Sequence, residues 1–247
     1  MKNDKTKNYS YIAIVIAAGM SSRMGEFKPL LDIGERSALT CLLDSIRSAG
    51  IRQTLVVTGY KRELIKKELE QYSAFCMGKD SLKKDGRNDE YCLSSINNEA
   101  YREGMFSSIK AGIRHVAGLQ HDADPGKVTG SNEAALLFPV DVPLVSAETI
   151  KGLIRNWEES SLMKVPGSGN VFAVPVFKGK NGHPLLIPNT HFDEIIKYDG
   201  EGGLKGVRNR HEADMIRYAV DDEGCVLDMD TPDDYMRILE YYEKQRL

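Results

Sequence analysis

The 247-residue sequence has no long hydrophobic segment, and its basic residues do not outnumber its acidic ones. No apolar run approaches the roughly 20 residues that a membrane-spanning helix needs. With 33 basic and 36 acidic residues, the formal net charge is −3, which argues against nucleic acid as the main partner. The first ten residues are polar and lack the apolar core of a signal peptide. We therefore expect a cytoplasmic protein with neither a membrane nor a nucleic acid as partner.

Cysteine is scarce and scattered, with four residues at positions 41, 76, 92 and 225. Neither a Cys-x-x-Cys pair nor any other metal-ligand spacing occurs, so the pattern predicts free thiols. No internal repeat, low-complexity tract or interdomain linker interrupts the chain. Because 41% of the residues are hydrophobic, the chain can bury one sizeable core. We predict a disordered N-terminus at residues 1–10 and a single domain over residues 11–247.

Short apolar runs alternate with amphipathic segments, a pattern typical of βαβ units on a parallel sheet. Strands are predicted at residues 11–16, 54–59, 91–97, 134–140, 171–177, 184–188, 215–220 and 225–230. Helices are predicted from residue 39 to Gly50 and at 61–71, 109–116, 147–159, 191–198 and 232–244. Residues 78–90 and 118–132 are rich in polar residues and glycine, which indicates exposed loops.

A glycine- and serine-rich loop (AAGMSSRMGEFKPL, residues 17–30) follows the first predicted strand. In open α/β sheets, ligands bind at this end of the strands. Glycines allow backbone N–H groups to form a concavity for phosphate oxygens, while Arg23 offers a bidentate fork and Lys28 a mobile charge. Taken alone, the loop fits an ordinary strand-to-helix connection equally well. It matches neither the Walker A loop nor the dinucleotide-binding fingerprint.

Acidic residues lie at the ends of two predicted buried strands. Asp141 follows one strand, and Asp228 and Asp230 lie at the end of another. Mg²⁺ takes such carboxylates as ligands, together with water and substrate phosphates. Because alternate strand residues point to opposite faces, we expect only one of Asp228 and Asp230 to reach a metal. The alternative is an Asx turn at Asp141 and a helix cap at Thr231 that Asp230 assists.

Four further motifs follow the loop in order. They lie at residues 98–112 (NEAYREGMFSSIKAG), 139–145 (PVDVPLV), 182–184 (GHP) and 227–234 (LDMDTPDD). Together with the loop, they resemble the molybdenum cofactor nucleotidyltransferases over about residues 11–240. More distantly, they resemble methylerythritol phosphate cytidylyltransferase and the sugar-1-phosphate nucleotidyltransferases. The resemblance implies an α/β fold, a Rossmann-like three-layer sandwich with a mostly parallel mixed sheet. It also implies Mg²⁺-dependent transfer of a nucleoside monophosphate from a nucleoside triphosphate to a phosphate-bearing acceptor, with release of pyrophosphate.

The resemblance also implies roles for individual residues. Asp141 and Asp230 would bind Mg²⁺, and catalysis would depend on Arg23, Lys28 and Asp141. The nucleotide would contact Ala17, Ala18, Gly19, Ser21, Arg23, Lys28, Gly104, Met105 and Ser108.

Two further residues are candidates for contact with the acceptor. His183 lies in the Gly-His-Pro motif, and Lys205 lies beside two glycines. The alternatives are a packing role for the histidine and simple solvent exposure for the lysine.

The Ala17-Ala18-Gly19 triplet resembles the cytidylyltransferase branch, whereas the guanylyltransferases tend to have Ala-Gly-Gly. A methyl group at Ala18 would take space beside the base, which favours a pyrimidine. We therefore expect CTP as the nucleotide and a molybdopterin-type molybdenum cofactor as the acceptor, with transient contact to a molybdoenzyme or its chaperone. The alternatives are guanylyl transfer from GTP, transfer to methylerythritol phosphate or a sugar phosphate, and a non-catalytic nucleotide- or cofactor-binding protein.

Overall fold

The computed structural model describes residues 10–20, 24–80, 91–121, 133–162 and 171–246. The predicted disordered N-terminus lies outside these residues except for Ser10, as do Ser21, Arg23 and most of the two predicted loops. The organisation into a single domain stays a prediction. None of the described helices combines the length and the apolar character that would be needed to cross a membrane.

Ten strands occur within the described residues. They are β1 (Tyr11–Ile16), β2 (Asp32–Ile33), β3 (Arg36–Ser37), β4 (Gln53–Thr58), β5 (Cys92–Asn97), β6 (Ala134–Pro139), β7 (Ala173–Phe177), β8 (Lys180–Asn181), β9 (Leu185–Pro188) and β10 (Ile216–Ala219). Eight of them form one sheet in the order β10-β7-β9-β6-β1-β4-β5, with β8 paired to β7. The pairs β6–β1, β1–β4, β4–β5 and β10–β7 are parallel, whereas β9 runs antiparallel to β6 and β7.

Helices cover both faces of this sheet. They are α1 (Ala38–Ser48), α2 (Arg62–Asp80), α3 (Met105–His121), α4 (Ala147–Leu162), α5 (Phe192–Lys197), α6 (Gly203–Arg210) and α7 (Pro232–Gln245). Strand β1 is buried on both faces: Ala13 and Val15 belong to one core cluster, and Ile12 and Ile14 belong to the other. The first cluster includes residues of α1, α2 and α4, and the second includes residues of α3, α5 and α6. The predicted three-layer α/β sandwich is thereby confirmed.

The strand predicted at residues 225–230 is wrong. A short 3₁₀ turn covers Glu223–Cys225, and the chain then runs irregularly to the start of α7. The side chain of Asp222 accepts a hydrogen bond from the Gly224 backbone N–H at 2.9 Å, which closes this turn. Of the apolar residues that suggested a strand, Cys225, Leu227 and Met229 are buried against other elements, and none of them pairs with a described strand.

Other boundaries differ from the sequence prediction as well. Helices α2 and α3 extend into the first residues of the segments predicted as loops, and α3 begins four residues earlier than predicted, at Met105. Helix α6 was not predicted because Val207 is its only fully buried residue, so it shows little apolar periodicity. The starts of α4 and α7 were predicted correctly: Ser146 Oγ accepts from the Thr149 N–H at 3.1 Å, and Thr231 caps α7.

Candidate functional site

The loops that follow β1 and β6 meet at the carboxyl edge of the sheet because these strands are parallel neighbours. The Val140 N–H donates to the Ile16 carbonyl at 3.1 Å, and the Ala17 N–H donates to the Val57 carbonyl at 2.9 Å. These bonds hold the beginnings of both loops against adjacent strands. Asp141 therefore lies beside the loop that contains Lys28.

Lys28 lies between two carboxylates at this edge. Its Nζ donates a 2.7 Å hydrogen bond to Oδ1 of Asp230 and lies 3.7 Å from Oδ2 of Asp141. The segment around Asp230 is held by the Met229 N–H, which donates to the Asp141 carbonyl at 2.9 Å. The two predicted metal ligands are thus brought together, although Asp230 lies in the segment before α7 and not at the tip of a strand.

Burial and neighbouring charges shift the pKa values of two carboxylates in this cluster. Burial raises the pKa of Asp141 above its ordinary value; the Lys28 ammonium opposes this shift and the Asp230 carboxylate adds to it. Burial also raises the pKa of Asp228, and the neighbouring carboxylates of Asp230 and Asp141 raise it further. The carboxylates of Asp141 and Asp230 thus flank one ammonium group, and the charge of Asp228 interacts with all three. Such a group of hard oxygen donors, already in contact with one cation, fits a divalent ion such as Mg²⁺.

The residues that follow β1 are only partly exposed. Gly19 is exposed, whereas Ala17 and Ala18 are only 1% and 2% exposed. A Cβ built on Gly59 would lie 3.0 Å from the Ala18 methyl group, which is therefore packed within the protein. Contact between this methyl group and a bound base stays a prediction. Ser21 and Arg23 lie outside the described residues.

The start of α3 contains three of the predicted nucleotide-binding residues. Gly104 has a φ of +100°, a conformation that glycine adopts without strain, and Met105 is 56% exposed. Ser108 is buried, and its hydroxyl accepts a 2.9 Å hydrogen bond from the Asn98 amide. Asn98 also accepts from the Ala100 N–H at 3.1 Å, so it fixes the turn before α3. Sequence reasoning did not single out Asn98, although it begins the motif at residues 98–112.

His183 lies at the same sheet edge, just before β9. Its backbone N–H donates to the Cys225 carbonyl at 2.8 Å, and its Nδ1 is buried with no hydrogen-bond partner among the described residues. Burial lowers the pKa of His183 to about 4, and the positive charge of Arg208 lowers it as well. The imidazole is therefore neutral near pH 7 and offers no positive charge to an anion. Lys205 is exposed on α6.

A cleft of about 320 Å³ adjoins the carboxylate cluster through Asp228. Three basic side chains contribute to its lining: Lys178, Lys180 and Arg237. The acidic residues Glu223, Asp228 and Asp234 and the apolar residues Phe177, Val226 and Leu227 complete it. The sequence analysis did not single out the hairpin of β7 and β8, in which Lys178 lies in the turn and Lys180 begins β8. The two lysines in that hairpin were the available signal.

Comparisons with known proteins identify relatives of this chain and structures with a similar fold. Molybdenum cofactor cytidylyltransferase of Escherichia coli (strain K12) is 23% identical over 234 residues, covering 93% of this chain and 95% of that protein. A nucleotidyl transferase structure from Methanothermobacter has a TM-score of 0.68 at 16% identity, covering 96% of this chain and 99% of that one. The manganese complex of Rv0371C from Mycobacterium tuberculosis H37Rv has a TM-score of 0.57 at 23% identity, covering 94% and 98%.

The similar structures show a shared fold, and the match to a family model shows the family. A model described as the MobA-like NTP transferase domain matches residues 13–215, which is most of the chain. The chain therefore belongs to the MobA-like NTP transferase family and is a nucleotidyltransferase.

Proposed function

We propose that this protein transfers CMP from CTP to a phosphate-bearing acceptor, preferably a molybdopterin-type molybdenum cofactor, and releases pyrophosphate. The observation that carries the proposal is the cluster of Lys28, Asp141 and Asp230 at the carboxyl edge of the sheet. The preference for CTP and for this acceptor is supported by the name of the Escherichia coli relative, and by the Ala-Ala-Gly form of the loop.

The carboxylates of Asp141 and Asp230 are the proposed ligands of Mg²⁺. The manganese complex of the mycobacterial structure supports a divalent ion in this fold. When bound, the ion would offset the negative charge of the triphosphate. Because Lys28 contacts the same carboxylates, its ammonium would turn toward the triphosphate when the ion binds.

The proposed reaction needs no nucleophilic side chain. An oxygen of the acceptor phosphate attacks the α-phosphorus of CTP, the bond from that phosphorus to the bridging oxygen breaks, and pyrophosphate leaves with the electron pair. The protein has to hold two polyanions in line and offset their repulsion. Lys28 supplies one positive charge for this task, and we propose Arg23 as a second.

The cleft beside Asp228 supports an anionic acceptor. Lys178, Lys180 and Arg237 supply basic groups next to the carboxylate cluster. His183 is neutral near pH 7, so we propose that it shapes the acceptor side of the site without pairing with a phosphate. Lys205 is retained as a second candidate for the acceptor phosphate. Transient contact with a molybdoenzyme or its chaperone, in the cytoplasm, belongs to the same proposal.

Pyrophosphate release tests this function directly. The full-length protein would be incubated with Mg²⁺, each of the four nucleoside triphosphates, and molybdenum cofactor, methylerythritol 4-phosphate or glucose 1-phosphate in turn. We expect release to be fastest with CTP and molybdenum cofactor. Faster release with GTP would overturn the choice of nucleotide, and preference for another acceptor would overturn the choice of cofactor. Binding of CTP and Mg²⁺ without release in any combination would favour the non-catalytic alternative.

A further inference from the structure

A second group of metal-ligating side chains lies away from the carboxylate cluster. His191 ends a short 3₁₀ turn before α5, Glu194 lies in α5, and His211 follows α6. One ligand atom from each of the three residues lies within 4.8 Å of the other two. Seventeen positions separate Glu194 from His211 in the sequence, so only the fold brings these side chains together.

The Glu194 carboxylate is the centre of this group. Its Oε2 lies 2.8 Å from Nε2 of His211 and 3.4 Å from Nδ1 of His191. Its other oxygen, Oε1, lies 3.6 Å from the guanidinium of Arg210. Burial acts to raise the pKa of Glu194, but the hydrogen bonds from His211 and His191 outweigh it, and the pKa is lowered. The carboxylate is therefore ionised at neutral pH.

Aromatic packing orients the two imidazoles. Phe172 stacks on the ring of His191 with centroids 4.6 Å apart, and it lies 5.5 Å from the ring of His211. The two imidazoles lie edge to face with centroids 4.5 Å apart. Their ring positions are thus fixed by a buried side chain next to β7, so less side-chain freedom remains to be lost when a ligand binds.

The group lies at the edge of the sheet opposite the carboxylate cluster. Strand β9 ends at Pro188, which pairs with Ala134 at the beginning of β6, and His191 follows three residues later. Asp141 follows the other end of β6, a strand of six residues. At about 3.3 Å per strand residue, the two sites are roughly 20 Å apart. Neither site can share a ligand with the other.

We propose that His191, Glu194 and His211 form a binding site for a divalent transition-metal ion of the zinc class. Two imidazole nitrogens and one carboxylate oxygen are a donor set that suits Zn²⁺, whereas Mg²⁺ prefers oxygen ligands alone. Tetrahedral Zn²⁺, with bonds of about 2.0–2.1 Å, separates its ligand atoms by about 3.4 Å. Oε2 of Glu194 lies 3.4 Å from the His191 nitrogen and 2.8 Å from the His211 nitrogen, and all three atoms lie within 4.8 Å of one another, so side-chain rotations that widen the shorter separation would admit the ion. The fourth position is left to water.

The proposed ion would link α5 to the segment that leads from α6 into β10. Both helices are short, with six and eight residues, and each buries few side chains. An ion that binds only the folded state stabilises it by mass action. We expect the ion to stabilise the packing of these two segments, and its loss to leave nucleotide binding at the other sheet edge unchanged.

Zinc titration of the full-length protein tests the site. After treatment with EDTA and dialysis, ZnCl₂ would be titrated in the presence of excess Mg²⁺, with calorimetry and thermal unfolding as readouts. Co²⁺ substitution would report coordination through its visible absorption bands. The variants are His211→Gln and Glu194→Gln, and His115→Gln, on α3, is the matched control.

We expect one saturable zinc site, a raised melting temperature and tetrahedral Co²⁺ bands in the wild type and in His115→Gln. Both cluster variants should bind zinc at least about 100-fold more weakly, since even the loss of an outer-shell partner costs about 10–100-fold. Their melting temperatures without metal show whether they are folded. Equal zinc affinity in wild type and Glu194→Gln would overturn the proposal, as would zinc binding that Asp141→Asn abolishes. If neither variant folds, wild-type Co²⁺ spectra without tetrahedral bands would overturn it.

Discussion

The ammonium of Lys28 donates a 2.7 Å hydrogen bond to the carboxylate of Asp230, a residue 202 positions later in the chain. Asp141, at the end of β6, completes the cluster from a third part of the sequence. In the family to which the chain belongs, a nucleotide and a phosphate-bearing acceptor must meet. A cluster with more carboxylates than ammonium groups has the oxygen donors that a divalent ion takes, so we propose it as the place where the two meet.

Removal of the Asp141 charge should abolish turnover while the fold survives. We expect Asp141→Asn to lower the rate of pyrophosphate release by at least about 10³-fold, because the proposed metal ligand is lost. The shape of the side chain is kept, so thermal unfolding should change little. The matched control is Asp199→Asn at an exposed position. Near-normal release by Asp141→Asn would remove this residue from the mechanism.

Replacement of Lys28 should change nucleotide binding and metal binding in opposite directions. In Lys28→Met, the loss of one charge from the proposed triphosphate site should weaken CTP binding by about tenfold, which is about 1.4 kcal/mol. Binding of Mn²⁺ alone should strengthen, because the ammonium no longer competes for the Asp141 and Asp230 carboxylates. Calorimetric titration of each ligand checks both expectations, with Lys197→Met at an exposed position as control. Weaker Mn²⁺ binding would contradict competition for the same oxygens.

His183 should make the stability of the protein depend on pH. The pKa of His183 is about 4 in the folded chain, against an ordinary value of 6.5. Between these values the unfolded state binds the additional proton, so the free energy of unfolding falls as the pH drops from 6.5 to 4. The contribution of this group has a slope of up to about 1.4 kcal/mol per pH unit.

Urea unfolding at several pH values between 4 and 7 measures this contribution. His183→Gln should reduce the slope of stability against pH, whereas His115→Gln on α3 should retain the wild-type slope. Identical slopes for His183→Gln and the wild type would show that the imidazole titrates alike in the folded and unfolded states.

Asp222 should be important for stability although it lies outside the proposed chemistry. Its carboxylate is buried and accepts hydrogen bonds from the Ser146 N–H, the Thr149 hydroxyl, the Gly224 N–H and the Tyr241 hydroxyl, at 2.7–3.1 Å. Asp222→Ala leaves these donors without their acceptor. We expect a loss of about 3 kcal/mol in the free energy of unfolding, measured by chemical denaturation. Asp221→Ala, at the exposed neighbouring position, should change stability by less than about 0.5 kcal/mol.

The sequence predicted the centre of the sheet because its strands are continuous apolar runs. β1 and β6 are buried on both faces, so the hydrophobic pattern alone located them. The meeting of Lys28 with Asp141 followed from the parallel order of these strands. The start of α7 followed from the Thr-Pro-Asp-Asp sequence, which has the chemistry of a helix cap.

Other features depend on contacts between distant residues, which the local pattern does not contain. Residues 225–230 are rich in apolar side chains, yet the bond from the Met229 N–H to the Asp141 carbonyl and the Asp222 turn hold the chain in another conformation. The Ala18 methyl group packs near Gly59, a contact between residues that are far apart in the sequence. The grouping of Glu194 with His211 likewise depends on how α5 and α6 pack.

Anomalous diffraction would locate the proposed metal ion and the triphosphate in one experiment. Crystals of the protein would be grown with MnCl₂ and a non-hydrolysable CTP analogue, and the Mn²⁺ position would be measured from its anomalous signal. We predict a peak bound by the Asp141 and Asp230 carboxylates, with the triphosphate beside Lys28. A Mn²⁺–nucleotide complex bound away from these carboxylates would contradict the account.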